Sequence, residues 1–264
     1  MDLGIKGKIA VVSGSTAGIG LAIANTLAQE GAQVIVNGRT QSRVAAAVAK
    51  ISGGVAKVQV RGISADLSNA AGVQAIAKEV AEADILVNNL GIFEPKPFAE
   101  IADADWIRFF EANVMSGVRL SRQYLPGMLR KNWGRIIFIS SESGQQIPAE
   151  MIHYGMTKTA QIAVARGLAE SVAGTNVTVN SILVGPTASE GAVTFVEGLA
   201  KQQGISTDEF EKIFFESVRP SSLLKRFETP EEVAAVVAFV ASTQSATMNG
   251  AAVRADGGVV RSIL

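Results

Sequence analysis

Tyr154 and Lys158 stand four residues apart in the stretch Tyr-Gly-Met-Thr-Lys. On a helix that spacing puts both on one face, with Cβ atoms about 5–6 Å apart. A free tyrosine titrates near 10, and bringing it to about 7 requires roughly 4 kcal/mol. One ammonium group about 4 Å away supplies an interaction of that order at an effective dielectric of about 20. The pair is therefore chemically suited to exchange a proton with an alcohol or a carbonyl. Ser141 precedes it at the end of an apolar run and could donate a hydrogen bond to a carbonyl oxygen. Taken alone, a tyrosine and a lysine on one helix are more often a solvated face than a site, so the elements around them must decide.

The run Arg135–Ser140 is compact, apolar and of strand type. After Pro148 an amphipathic pattern through Ile152, Ile162, Val164, Leu168 and Val172 predicts a helix from about Ala149 to Val172. Upstream, residues 8–13 read as a buried strand. The turn Gly14-Ser15-Thr16-Ala17-Gly18-Ile19-Gly20 follows, then a helical run through Leu21, Ile23, Ala24 and Leu27 to Gly31. Glycines at such a turn let backbone approach a pyrophosphate, and the helix N-terminus offers unpaired N–H groups and a positive dipole end. A tight turn with no ligand is the plainer reading.

Gln33–Asn37 predicts a second strand, followed by Gly38-Arg39-Thr40. An acid at the end of this strand would bind an adenosine 2′-hydroxyl, and an arginine would accommodate a 2′-phosphate. The chain has Arg39 and no acid, which favours NADP, with NAD weaker; otherwise Arg39 is a solvated loop cation. Further on, Arg43–Ile51 reads as a helix, Lys57–Arg61 as a strand with Asp66-Leu67 in the loop after it, and Ala70–Ala81 as a short helix. A buried strand from Asp84 ends in Asn88-Asn89-Leu90-Gly91. Asp103 is expected to cap a long helix containing Asn113 and bending at Pro126. Asn176–Leu183 and Ala251–Ala255 read as strands, and Thr229-Pro230 opens a helix as cap and first position. Alternating strands and helices over residues 1–264 predict one α/β domain, a doubly wound parallel sheet of Rossmann type with about seven strands.

Composition narrows the classes. The chain has 264 residues, zero formal net charge, no cysteine and one histidine. No basic face for nucleic acid is implied, and neither a disulfide framework, a thiol nucleophile nor a thiolate metal site is possible. With His153 alone, a multi-histidine metal site is nearly excluded, so no metal is expected. Apolar runs such as Val233–Ala241 are far below a membrane span, and no signal-peptide pattern is present. A cytoplasmic protein without membrane or nucleic-acid partners is expected.

Taken in order, Ser13-Gly14-x-x-x-Gly18-Ile19-Gly20, Asp66, Asn88-Asn89-x-Gly91, Asn113, Ser141, Tyr154-x-x-x-Lys158, Asn180-Ser181-Ile182 and Asp256-Gly257-Gly258 resemble the short-chain dehydrogenase/reductase family over essentially the whole chain. Ser141 precedes Tyr154 by thirteen residues, as that family's serine does. The resemblance implies an NADP-dependent oxidoreductase that moves hydride between a nicotinamide and a carbonyl or secondary alcohol, while Tyr154 moves the proton. It implies that Lys158 lowers the tyrosine's pKa and binds the nicotinamide ribose, Ser141 holds the substrate oxygen, and Asn113 fixes a water linking Lys158 to solvent. Asp66 would accept from the adenine amino group, and Gly185, Thr187 and Ser189 would lie along the carboxamide. Leu67, Asn88, Leu90 and Gly91 complete the implied cofactor contacts, with Gly14, Ser15, Thr16, Gly18, Ile19, Gly20, Arg39, Tyr154 and Lys158.

Departures from the family pattern are Leu90 for a small residue, Val184 for proline, and Ala17 where a basic residue often assists NADP. Residues 187–222 look longer than in compact members and carry Phe195, Val196, Leu199, Phe210, Ile213, Phe214, Phe215 and Val218. They read as two short helices forming a lid over a large or apolar substrate, or as side chains that pack at a subunit interface or fill the core. His153 points off the catalytic face and reads as a packing or interface residue. The resemblance, with Val259, Val260, Ile263 and Leu264, suggests a homotetramer. A non-catalytic nicotinamide-binding sensor or scaffold is the alternative.

Overall fold

In the computed structural model, residues 1–54 and 59–263 are described, and for Phe195, Leu199, Gln202 and Gln203 the backbone alone. Seven strands form one parallel sheet among the described residues. They are β1 (Ile9–Val12), β2 (Gln33–Gly38), β3 (Val60–Ser64), β4 (Ile85–Asn88), β5 (Gly134–Ser141), β6 (Val177–Val184) and β7 (Ala252–Ala255), in the order β3-β2-β1-β4-β5-β6-β7. The order reverses between β1 and β4, and a crevice opens there beyond the carboxyl ends of the strands.

Parallel strands buried on both faces carry continuous apolar runs. Alternate residues separate the two faces. Ala10 and Val12 of β1 join one core with α1 (Gly18–Gln29), α2 (Gln41–Gly54) and α9 (Pro230–Ala241). Val11 joins the other with α3 (Ala70–Glu79), α5 (Ser116–Lys131) and α6 (Ile152–Ser171). The α9 start is as expected, with Pro230 at the first position and Thr229 in a reciprocal capping box with Glu232.

Several local expectations change. The third strand is Val60–Ser64, not Lys57–Arg61, and residues 57 and 58 lie outside the described residues. Its face is only part-apolar, so the hydrophobic period is a poor guide to its ends. Ala102, without a side-chain cap, precedes α4 (Asp103–Phe110); Asp103 sits inside the first turn, where a carboxylate favours the helix dipole. The long helix is interrupted by a π-turn at Glu111–Met115 before α5, which contains Pro126. A tight turn at Ala149–Met151 precedes α6, because Pro148 holds an extended backbone ahead of it.

Residues 187–222 hold α7 (Glu190–Gln203), α8 (Thr207–Ile213) and a π-turn at Phe214–Val218. The Phe195 and Leu199 side chains expected beneath them lie outside the description. Val259 is fully buried within the chain and unavailable to a subunit interface, whereas Ile263 is exposed; Leu264 is outside the described residues. No helix among the described residues is long and apolar enough to cross a membrane.

Candidate active site

The β5 strand delivers Ser141 to the carboxyl edge of the sheet, and the first turns of α6 lay Tyr154 and Lys158 across it. Lys158 is 5% exposed and Ser141 7%, so both work out of bulk water. The Lys158 Nζ donates to the Ile139 carbonyl at 2.8 Å and to Gln161 Oε1 at 3.2 Å, and lies 5.5 Å from the centre of the Tyr154 ring. Burial pulls Lys158 down to about 8.

Burial also pushes the Tyr154 hydroxyl above its ordinary value, against a downward pull from the Ser141 side chain. Desolvation of the phenol is the largest influence on it, and the Lys158 ammonium is turned to the Ile139 carbonyl and Gln161.

The π-turn places Asn113 beside this pair. Its backbone skips a residue, Ser116 N–H donating to the Glu111 carbonyl, and the Asn113 carbonyl accepts from Gln161 Nε2 at 2.5 Å. Gln161 thus bridges the Asn113 carbonyl to Lys158 Nζ directly. The Asn113 side chain is fully buried. Its Oδ1 accepts from Ile92 N–H at 2.7 Å, and its Nδ2 donates to the Ile92 carbonyl and to Thr157 Oγ1. It locks the segment after β4 onto α6.

The sequence reading missed Gln161, although Tyr154, Lys158 and Gln161 follow an i, i+4, i+7 pattern that marks one helix face. It also missed Glu142 and Arg219. Ser141 Oγ donates to Glu142 Oε2 at 3.0 Å and accepts from Ser143 N–H at 3.1 Å. Glu142 Oε1 accepts from Arg219 Nε at 2.8 Å. Adjacency to Ser141 could have flagged Glu142; nothing local could have flagged Arg219.

At the switch point, Gly14 and Gly18 take positive φ of 61° and 53°, which frees the β1–α1 turn to bend tightly. The α1 helix begins after Ala17 with no side-chain cap and no acid in its first turn. Its first N–H groups and positive dipole end therefore face the crevice available to an anion, which fits a pyrophosphate. Ile19, Gly91, Tyr154, Lys158, Gly185, Thr187 and Ser189 line one crevice of about 210 Å³ beside it.

The other expected cofactor residues differ in how they reach it. The Ser15 side chain is fully buried, donating to the Val12 carbonyl at 2.7 Å, so only its backbone faces the turn. Asn88 turns its amide to Ser121 Oγ, and Leu67 is sunk in the core, so both are limited to backbone contacts. Leu90 is half-buried, and its Cα packs against Gly14. Asp66 is exposed and held by Ser68 N–H and Oγ. Arg39 is exposed, and its side chain makes no hydrogen bond or ion pair among the described residues. Thr16 packs so close to Gly38 that a Cβ there would lie 2.4 Å from Thr16 Cγ2.

A second cavity, of about 310 Å³, opens between the β5–α6 connection and the α7–α8 segment. Its roof is apolar, with Phe93, Met151, Val196, Phe210, Phe214 and Phe227; its floor holds Ser141, Glu142, Tyr154 and Arg219. Phe214 and Phe227 stack with ring centres 5.2 Å apart. His153 is fully buried against Trp106 and Phe109, and its nitrogens have no partner among the described residues. Burial pulls its pKa down, so it packs as the neutral ring. Among the described residues no group of three or more metal-ligating side chains forms.

Comparison with known proteins agrees with this geometry. A family profile described as short chain dehydrogenase matches residues 8–199. The Bacillus subtilis (strain 168) protein named uncharacterized oxidoreductase YvrD is 49% identical over 266 aligned positions, spanning 100% of both chains. The D-beta-hydroxybutyrate dehydrogenase of Cupriavidus necator is 34% identical over 260, spanning 97% of this chain and 99% of its own. The crystal structure of L-sorbose reductase from Gluconobacter frateurii, complexed with NADPH and L-sorbose, superposes with a TM-score of 0.94 at 32% identity over 100% of both chains.

Proposed function

We propose, from the premise that this chain belongs to the short-chain dehydrogenase/reductase family, that it is an NADP-dependent carbonyl reductase acting on a small neutral or partly apolar carbonyl compound. The observation that carries the reading is the convergence of Ser141, Tyr154 and Lys158 on a crevice continuous with the glycine turn. Bound there, the nicotinamide supplies or accepts the hydride. Tyr154 Oη gives its proton to the carbonyl oxygen as that oxygen gains charge. Ser141 Oγ turns from Glu142 to donate to the same oxygen. Lys158 holds the ribose and offsets the charge left on the phenolate, and the Gln161–Asn113 bridge keeps its ammonium in place.

The N–H groups opening α1 hold the pyrophosphate, and the exposed Arg39 takes the 2′-phosphate through a planar fork suited to it. The L-sorbose reductase with bound NADPH supports that choice. The α7–α8 segment acts as the lid. No observation favours a non-catalytic sensor or scaffold. Assembly as a homotetramer and a cytoplasmic location belong to the same proposal; exposed Ile107 and Phe110 on α4 supply an apolar surface to cover.

Oxidation of NADPH, followed by absorbance against a panel of ketones, aldehydes, sugars and acyl thioesters, tests the activity. Turnover with NADPH exceeding that with NADH by about tenfold is expected from one charge-assisted hydrogen bond. Equal use of the two cofactors would remove the role given to Arg39.

A further inference from the structure

Glu142 is a carboxylate where the cavity most needs explaining. It is 3% exposed, follows Ser141 directly and shares a hydrogen bond with that serine's Oγ. Its one cation among the described residues is Arg219, itself 8% exposed and 77 positions further along the chain. Arg219 Nη1 goes to Glu150 Oε1 at 3.2 Å and to the Val218 carbonyl at 3.0 Å. Its Nη2 makes no hydrogen bond among the described residues, and the residue lines the cavity. An apolar pair of the same volume generally packs at least as stably as a buried ion pair. The pair is therefore better explained by what it meets in the cavity than by stability.

Two carboxylates against one guanidinium leave this wall with one net negative charge. A substrate carboxylate would be repelled there, since the one cation is already neutralised. A hydroxyl suits it. Ionised Glu142 has lone pairs beyond those used by Ser141 and Arg219, and Arg219 Nη2 can donate to the hydroxyl oxygen. Ser141 Oγ and Glu142 Oε2 are 3.0 Å apart, so a carbonyl oxygen and a hydroxyl on the neighbouring carbon, themselves about one hydrogen-bond length apart, can each meet one of the two. The rest of the molecule meets Phe93, Met151, Phe214 and Phe227.

We propose that Glu142 and Arg219 make this enzyme selective for neutral carbonyl compounds bearing a hydroxyl on the carbon next to the carbonyl, the corresponding alcohol being a vicinal diol. The inference rests on the reductase reading above and deepens it. The reaction balances as hydride from NADPH to the carbonyl carbon and one proton to its oxygen; the neighbouring hydroxyl is unchanged. A site that hydrogen-bonds a hydroxyl from buried polar groups discriminates strongly against the analogue lacking it.

The test compares kcat/KM for 1-hydroxyhexan-2-one, hexan-2-one and 2-oxohexanoate with NADPH. For the native enzyme the hydroxyketone should exceed the plain ketone by at least about tenfold, and the oxoacid should be the poorest. In Glu142→Gln the hydroxyketone-to-ketone ratio should fall to within about threefold while the oxoacid gains relative to both. Each ratio is taken within one preparation, so partial unfolding of the variant does not affect it. Equal rates with hydroxyketone and ketone in the native enzyme, a preference for the oxoacid, or an unchanged ratio in Glu142→Gln would each overturn the proposal. The reductase reading survives those outcomes, because hexan-2-one is still turned over. Failure with every carbonyl overturns both.

Discussion

The two halves of the cleft are built by different means. On the β1–β2–β4 side the groups offered to a ligand are mostly backbone: the uncapped start of α1, the left-handed Gly14 and Gly18, and main chain at Leu67 and Asn88 whose side chains are buried. On the side of β5, α6 and the α7–α8 segment they are side chains from far-separated segments: Ser141, Glu142, Tyr154, Lys158, Gln161 and Arg219. A backbone site tolerates most substitutions that keep the turn. A side-chain site contains desolvated charges and fails one residue at a time. This contrast makes the C-terminal half the place where substrate choice can differ between members that share one cofactor.

The largest effect is expected at Tyr154. Tyr154→Phe should lower kcat by about a thousandfold or more, within the range of lost acid–base catalysis, with NADPH affinity within about threefold by fluorescence titration. Retention of a tenth of the native rate would remove the proton role and with it the contrast between the halves.

Next comes Glu228, buried beneath the Gly185 loop. Burial, then Asp256 and Glu232, push it up from 4.5 to about 7. The folded chain therefore keeps this proton when the unfolded chain has lost it, so stability falls as pH rises from about 4.5 to about 7 and is level above. The full span corresponds to roughly 3 kcal/mol. Glu228→Gln stays neutral, so its urea midpoint relative to the native protein should rise between pH 5 and pH 8. An unchanged difference would mean the carboxyl is solvated, as in the other half.

Gln161→Leu cuts the bridge from the Asn113 carbonyl to Lys158. A drop in kcat of about thirtyfold is expected, as for loss of a hydrogen bond to a charged group. Gln161→Glu puts a carboxylate beside Lys158 and should move the alkaline limb of the pH profile upward from near 8, the value burial gives that ammonium. A profile unmoved in both variants would reduce Gln161 to packing.

The smallest effect is on the backbone side. Arg39→Ala should weaken NADPH binding by about tenfold and leave NADH within about twofold, since only the phosphate meets this cation. Gly38→Asp is a poorer probe than the sequence suggests, because its Cβ would press on Thr16 and disturb the turn for either cofactor. Equal loss of both cofactors in Arg39→Ala would show a side chain structuring the loop.

The legible parts of this protein are those whose physics is local. Alternating apolar segments specify parallel strands covered on both faces, and the glycine turn, Thr229-Pro230 and the Tyr154–Lys158 spacing each depend on neighbours within a few residues. The third strand lies further along than its apolar pattern indicates because only Ile63 in it is buried, so no period marks its ends. Residue chemistry and spacing alone determined the fold class, the dinucleotide crevice and the candidate proton-transfer face. Only the folded chain decided that Gln161 meets the Asn113 carbonyl, that burial pushes the Tyr154 hydroxyl upward, and that Arg219 crosses to Glu142 from 77 positions away. Hydrogen bonds and desolvation act over a few ångströms of space whatever the separation along the chain, so such pairings exist only once these segments have packed onto the sheet.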